Sequence, residues 1–340
     1  KLLSMVAFLP VLGGLASCTR TVDNTIYFWH TCGQTVVTEL QNRIDEFEQL
    51  VLENEGKEIN IKLSYRGSYD DILEAVRTAF SAGHQPTLAI AYPDHVAEYL
   101  ASENTPGQYV VDLSEYINDP EIGFGKEAWI GDGDTSDFVE AFYEEGSSYG
   151  REGIYSLPLM KSTEVMYYNK SIVLPLVTEY KPELDTTQKA EDWIANLSWD
   201  EFMDFCYYIK DHYNPGGVSD FWPAFYDSDS NMYITASMQD NIPFLGYDSE
   251  NNGEVLFNNP QAKEMVQQFK TWYDDGLFST KGVTGKYGSN YFTNISCLFD
   301  IGSSGGAGYN YPAGGSFEVG ICKVPAFNKD NRLYVTQGLT

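Results

Sequence analysis

Basic residues are scarce in this chain. Its 340 residues carry 21 Lys+Arg against 49 Asp+Glu, a formal net charge of -28. Phosphate backbones want a basic face, so the balance argues against nucleic-acid binding. The same surplus disfavours a broad contact with anionic lipid. Cysteine is scarce too, with five residues, which rules out a disulfide scaffold. Cys32, Cys206, Cys297 and Cys322 show no CxxC spacing and no His at zinc-finger spacing, so no metal site is expected. Their apolar neighbours point to buried free thiols. Histidine occurs only at positions 30, 84, 95 and 212. No internal repeat and no long low-complexity stretch is present.

Apolar residues and aromatics are abundant. They make up 43% and 15% of the chain, with 25 Tyr, 19 Phe and 6 Trp. Such a chain can offset its ordering entropy by burial, so it is globular. Its length exceeds what one core usually organises, so two lobes are expected.

Residues 1–18 read as an address. Lys1 precedes the apolar run Leu2 to Leu12, which is too short to span a bilayer as a stable helix. Small residues follow, as in a secretory signal. The ending Leu15-Ala16-Ser17-Cys18 resembles a bacterial lipobox, which implies a lipid, palmitate included, on Cys18. That lipid would anchor a soluble domain to the outer face of the cell membrane.

Beyond residue 24, strands and helices alternate. Residues 25–30 and 59–65 read as strands. Between them, Val36, Val37, Leu40, Ile44, Phe47, Leu50 and Val51 mark one helical face. Ser68, with Asp71 three residues on, opens a second helix that Gly83 ends. Residues 87–92 are nearly all apolar, as in a parallel strand covered on both faces, and a helix from about 95 to 102 follows. This order predicts a doubly wound lobe. In the middle, residues 131–136 form a turn cluster, 138–143 a short helix, and 156–159 and 164–170 extended chain. Ser198 and Glu201 make a capping box, and Asn259-Pro260 opens another helix. Residues 291–301 read as a strand, followed by a glycine-rich loop. The final run, 335–340, is strand-like with no helix after it, so the chain reads as part of a longer one.

Several catalytic motifs fail on inspection. Gly302-Ser303-Ser304-Gly305-Gly306 matches Gly-x-Ser-x-Gly after a strand, but a nucleophile elbow needs a helix next and a His later. All four His lie upstream, so a secreted serine hydrolase is a remote alternative. The loop otherwise reads as a plain turn, or as backbone and hydroxyls facing a ligand. Gly282 to Tyr287 is not a phosphate loop, and the stretches from Asp132 and Asp248 fail as calcium loops at their later positions. No catalytic residue and no cofactor is expected. Trp29, Tyr69, Tyr92, Trp222, Tyr226, Tyr309 and Tyr311 fall at strand ends or in loops, where aromatic faces can cover sugar rings. About half of them are expected to be core packing.

At this point the chain resembles a known family. Phe28-Trp29-His30 before a helix, Arg66-Gly67-Ser68-Tyr69, Gly83-His84-Gln85-Pro86 and the Tyr92 strand follow one another in family order. Ser162-Thr163-Glu164-Val165-Met166-Tyr167-Tyr168-Asn169-Lys170 is the most specific segment. The Ser303-Ser304 loop and Gln337-Gly338 complete the match. Together they resemble the extracellular solute-binding proteins (family 1) of ABC importers, in the branch of sugar and glycerol-3-phosphate binders. The resemblance implies a type II periplasmic-binding-protein-like α/β fold, with two doubly wound lobes, a ligand cleft between them and hinge closure. Its boundaries would be a lipoprotein signal at 1–18, an N-terminal lobe at 24–157, a C-terminal lobe at 158–316 and a return segment at 317–340, with a C-terminal part missing. By matched position, Tyr69, Ser162, Trp222, Ser303, Ser304 and Gly338 would face ligand. Asp94 joins them, one place later than the acid of the glycerol-3-phosphate binder, because Pro93 follows Tyr92 here. The expected function is capture of a neutral sugar or oligosaccharide and delivery to permease subunits by a monomer. Glycerol-3-phosphate or a glycerophosphodiester is the alternative ligand.

Overall fold

The computed structural model describes residues 24–119, 123–124, 135–213, 216, 220–250 and 252–340. The leader with Cys18 and the turn residues 131–134 lie outside the described residues. The chain divides into two compact units, one ending at Ser156 and the other spanning Leu157–Thr340.

The first unit is built on β1 (Thr25–His30), α1 (Gln34–Glu55), β2 (Asn60–Tyr65), α2 (Tyr69–Ala82), β3 (Leu88–Ala89), α3 (Pro93–Ala101), α4 (Ser114–Ile117) and α5 (Glu140–Glu144). Its sheet has the order β2-β1-β3, all parallel. The core lies under α2 and α3, where Ile72, Val76, Phe80 and Tyr99 meet Trp29. The α2 boundaries follow from local chemistry. Ser68 Oγ accepts the Asp71 N–H at 3.2 Å, and the Asp71 carboxylate accepts the Ser68 N–H at 2.8 Å. Gly83 then takes the left-handed conformation, φ 65°, and stops the helix.

Two expectations change here. The third strand pairs only over Leu88 and Ala89, and Leu88 is half exposed, so it is not covered on both faces. Three residues separate β3 from Pro93, which opens α3. In α1 only Ile44 and Val51 are buried, and Val36 faces solvent.

The second unit contains β4 (Met160–Asn169), α6 (Lys170–Tyr180), α7 (Thr187–Ile194), α8 (Trp199–His212), β5 (Ala224–Tyr226), α9 (Asp229–Gln239), β6 (Leu245–Tyr247), β7 (Gly253–Val255), α10 (Pro260–Asp274), β8 (Phe278–Thr280), α11 (Lys281–Thr284), α12 (Ser289–Phe292), β9 (Phe299–Ser303), β10 (Val319–Cys322) and β11 (Thr336–Leu339). The main sheet runs β10-β4-β9-β5-β8, with β11 also on β4. It is parallel across β9, β5 and β8, and antiparallel around β4. Residues 317–340 therefore supply two strands to this sheet.

Alternation along the strands separates two cores. Met166, Tyr168, Tyr226 and Phe299 pack with Trp199, Phe202 and Phe205. Tyr167 and Phe225 pack with Phe292, Cys297 and Phe317 on the other face. The α8 capping box forms as expected, with Ser198 Oγ accepting the Glu201 N–H at 3.2 Å.

Two segments differ from the sequence reading. Lys170 opens α6 rather than ending a strand, because the Asn169 side chain caps the Ile172 N–H. Residues 291–301 are not one strand. A helical turn at α12 is followed by Ile295 at φ 61°, and pairing begins only at Phe299. Cys32, Cys206 and Cys297 are buried, Cys322 is half-buried, and all four are free. Burial pushes the Cys322 thiol up to about 12.

Candidate functional site

In the second unit, the hydroxyls converge at the carboxyl end of β9. The register sets Glu164 of β4 opposite Ser303, and Gln337 of β11 opposite Ser162. Ser303 Oγ donates to Ser162 Oγ at 2.9 Å, and Ser162 Oγ donates to the Gln337 carbonyl at 3.2 Å. Ser304 Oγ accepts the Thr163 N–H at 3.1 Å, and Ser303 Oγ accepts the Gly305 N–H at 3.1 Å. Gly338 lies against Lys161, where a Cβ would meet the Met160 carbonyl and stand 2.7 Å from Lys161 Cα. Ser162, Ser303, Ser304 and Gly338 are thus brought together at one corner.

Buried groups hold this corner from below. Tyr167 O–H donates to the Ser303 carbonyl at 2.9 Å. Glu164 is buried and accepts from Tyr226 O–H at 2.8 Å and Thr235 O–H at 2.7 Å. Desolvation pushes its carboxyl up, and the bonds from Thr235, Tyr226 and Asn231 pull it back. Beyond Ser304 the chain runs as a 3-10 helix, Ser304–Asn310, and carries Tyr309 and Tyr311 into solvent. The corner therefore offers hydroxyls, backbone groups and aromatic faces.

The first unit has its own set at the carboxyl edge of its parallel sheet, where ligands bind in open α/β sheets. Tyr69, at the start of α2, lies 4.5 Å from the Tyr92 ring and is 40% exposed. Asp94 sits exposed in the first turn of α3. Arg66 follows β2, and its guanidinium lies 3.7 Å over the Trp29 ring. Its Nε is buried with no hydrogen-bond partner.

Trp222 is not brought to the hydroxyl corner. It precedes β5, and Ala224 pairs with Phe299, at the opposite end of β9 from Ser303. At about 3.3 Å per residue the separation along the sheet is roughly 20 Å. Its ring packs edge-on against Tyr291 at 5.6 Å. Trp29 and Tyr226 are core residues. Glu164 and Tyr167 were missed as site-supporting residues, although both sit inside the most specific sequence segment. An acid directly ahead of the apolar run Val165 to Tyr168 is the available signal for Glu164.

The Gly-x-Ser-x-Gly stretch does not form a nucleophile elbow, since a 3-10 helix follows it. His212, the second unit's histidine, stacks on Tyr208 at 4.0 Å, at the far end of α8. Among the described residues no three of His, Cys, Asp or Glu gather as metal ligands.

Comparison with known proteins agrees with this architecture. The chain is 24% identical over 303 residues to the sn-glycerol-3-phosphate-binding periplasmic protein UgpB of Salmonella paratyphi A, covering 85% of this chain and 60% of the relative. It is 27% identical over 305 residues to UgpB of Escherichia coli K12, again with 85% and 60% covered. The chain thus spans about three fifths of these relatives' length. Among solved structures, UgpB from Mycobacterium tuberculosis in complex with glycerophosphocholine matches with a TM-score of 0.67 at 15% identity, covering 93% of this chain and 71% of that one. The cyclic alpha-maltosyl-1,6-maltose binding protein from Arthrobacter globiformis matches with a TM-score of 0.62 at 18% identity, covering 93% and 69%. These likenesses show the shared periplasmic-binding-protein-like fold. A family model described as bacterial extracellular solute-binding protein matches residues 42–338, nearly the whole described chain, and the protein belongs to that family.

Proposed function

We propose that this protein captures a neutral sugar or oligosaccharide outside the cell and delivers it to the permease of an ABC importer. The observation that carries this reading is the corner of Ser162, Ser303, Ser304 and Gly338 at the carboxyl end of β9. Hydroxyls and backbone groups serve as both donors and acceptors, as sugar hydroxyls require. Tyr309 and Tyr311 supply aromatic faces in the same unit. The first unit separately presents Tyr69, Tyr92 and the exposed carboxylate of Asp94. Trp222 is assigned no contact with this corner. A lipid on Cys18 would hold the protein at the membrane surface as a monomer, and the ligand would come and go without being chemically changed.

One observation favours a second reading, an anionic solute such as a glycerophosphate. Arg66 has no ion-pair partner among the described residues, in a chain of net charge -28. It lies at the same sheet edge as the N-terminus of α1, which has no side-chain cap and no acid in its first turn. Such helix ends favour anions.

A thermal-shift panel of neutral oligosaccharides, monosaccharides, glycerol-3-phosphate and glycerophosphodiesters separates the two. A ligand at about a hundred times its Kd should add roughly 2.7 kcal/mol, a shift of a few degrees. A shift with neutral sugars that survives Arg66→Met supports the first reading. A shift with phosphates alone, lost in Arg66→Met, replaces it with the second. No shift with any member overturns both.

A further inference from the structure

Three residues before Ser303, Asp300 is fully buried, opposite Tyr167 on β4 and Phe225 on β5. Neither of its carboxylate oxygens has a hydrogen-bond partner, and neither does Oδ1 of Asn310, which is 2% exposed. The Asn310 side chain, at the end of the 3-10 helix, favours the Asp300 charge by less than burial and the Asp227 charge oppose it. Asp227, just after β5, presses on the same spot. Its Oδ1 accepts the Gly288 N–H at 2.6 Å, and a Cβ on Gly288 would collide with Asp300 Oδ1. The other titratable groups facing this pair are Glu164 and Tyr167 on β4, Cys297 before β9 and Lys281 on α11. Lys281 acts on Asp227, and its ammonium stands 3.8 Å from the Tyr287 ring.

The unpartnered atoms are all acceptors: two carboxylate oxygens and an amide oxygen. Ionised carboxylates cannot satisfy one another, whereas a carboxylic acid brings one O–H donor. Two acids side by side, one buried and one half-buried, also cannot both ionise cheaply. We propose that Asp300 is a neutral carboxylic acid whose proton is donated within the Asp227–Asn310 cluster and positions the segment from Ser303 to Asn310. That segment carries the Ser303 and Ser304 hydroxyls, so the proton acts on the candidate site through its scaffold and makes Asp300 a positioning residue.

Burial raises the pKa of both carboxyls, and the Asp227 charge raises that of Asp300 further. A group whose folded pKa lies above its unfolded value stabilises the fold fully below the unfolded value, about 3.9 for Asp, and loses that effect as pH rises through the folded value. This contribution therefore falls with rising pH in the wild type, and Asp300→Asn removes the Asp300 share of it, leaving those of Asp227 and Glu164.

The test uses the full chain and needs no solute, so failure of the function proposed above would leave it standing. Infrared difference spectra of wild type against Asp300→Asn should show a carboxylic-acid C=O band at neutral pH that is lost in the variant. Between about pH 5 and about pH 8 the wild-type Tm should fall by a few degrees more than that of Asp300→Asn. Amide exchange at Thr163 and Gly305, which bond the two serine hydroxyls, should gain a pH-dependent opening in the wild type only. Absence of the band, or parallel Tm profiles, overturns the proposal. So does a Tm rise with calcium seen in the wild type and not in the variant, which would mean ionised carboxylates around a cation. Where Asp300→Asn fails to fold, the pH titration of the wild-type band against Asp227→Asn decides the matter.

Discussion

At the scale of single residues, the candidate corner depends on positions whose neighbours leave no room for change. Gly338 is the sharpest case, since β11 crosses β4 so closely that any Cβ meets the Met160–Lys161 backbone. Backbone cannot move aside as a side-chain tip can. Gly338→Ala is expected to cost roughly 1–3 kcal/mol, in the range of overpacking. It should also displace Gln337, whose carbonyl accepts from Ser162. Urea unfolding measures the first effect, and loss of the ligand-induced shift the second. An unchanged midpoint would show that β11 yields freely and that the tight approach is not a constraint. Ser162→Ala makes a useful contrast, because it deletes a hydroxyl without adding volume. It should weaken ligand binding with little change in stability.

At the scale of elements, the legible parts of the sequence were those written in local chemistry. The boundaries of α2 and α8 follow from Ser68 with Asp71 and from Ser198 with Glu201, and both capping boxes form. The two caps differ in surroundings: the Ser68 bond is exposed, and the Ser198 bond is partly buried beside the main core. Removing either hydroxyl should cost about 1 kcal/mol, with Ser198→Ala the more damaging, because its unpaired N–H groups are further from water. Urea midpoints for the two variants check this, and equal losses would contradict it. What was not legible depends on partners distant in sequence. The strand expected at 291–301 has the right composition, but Ile295 adopts φ 61° and Phe299 is the first residue with a neighbour to pair. Trp222 has the polar, proline-flanked setting of a ligand-facing loop, yet the β5–β9 register places it at the wrong end of the sheet. The hydroxyl corner itself was legible only because its pieces lie in recognisable segments. The Asp227–Asp300 cluster, assembled from two strands without any motif, was not.

At the scale of the whole molecule, the dominant property is the surplus of negative charge. A net charge of -28 on 340 residues opposes compactness through self-repulsion. The ion pairs do little to offset it. Arg43 with Glu39 and Lys270 with Asp274 are exposed pairs within single helices, and Lys189 pairs with Asp185 just ahead of α7; solvent screening leaves each of them weak. Arg151 with Glu103 and Lys170 with Glu191 are the more sheltered pairs among the described residues. Added salt should therefore stabilise the protein by screening the repulsion. The Debye length falls from about 30 Å at about 0.01 M to about 3 Å at about 1 M. Most of that fall comes early, so Tm should climb steeply up to about 0.15 M NaCl and flatten above it. A solute-exclusion effect has a different shape, since it keeps rising with concentration. Calorimetric scans across NaCl concentration distinguish the two. A flat profile at low salt would mean that the acids are already neutralised in place. A linear rise throughout would assign the stabilisation to exclusion, and the charge surplus would then govern solubility rather than stability.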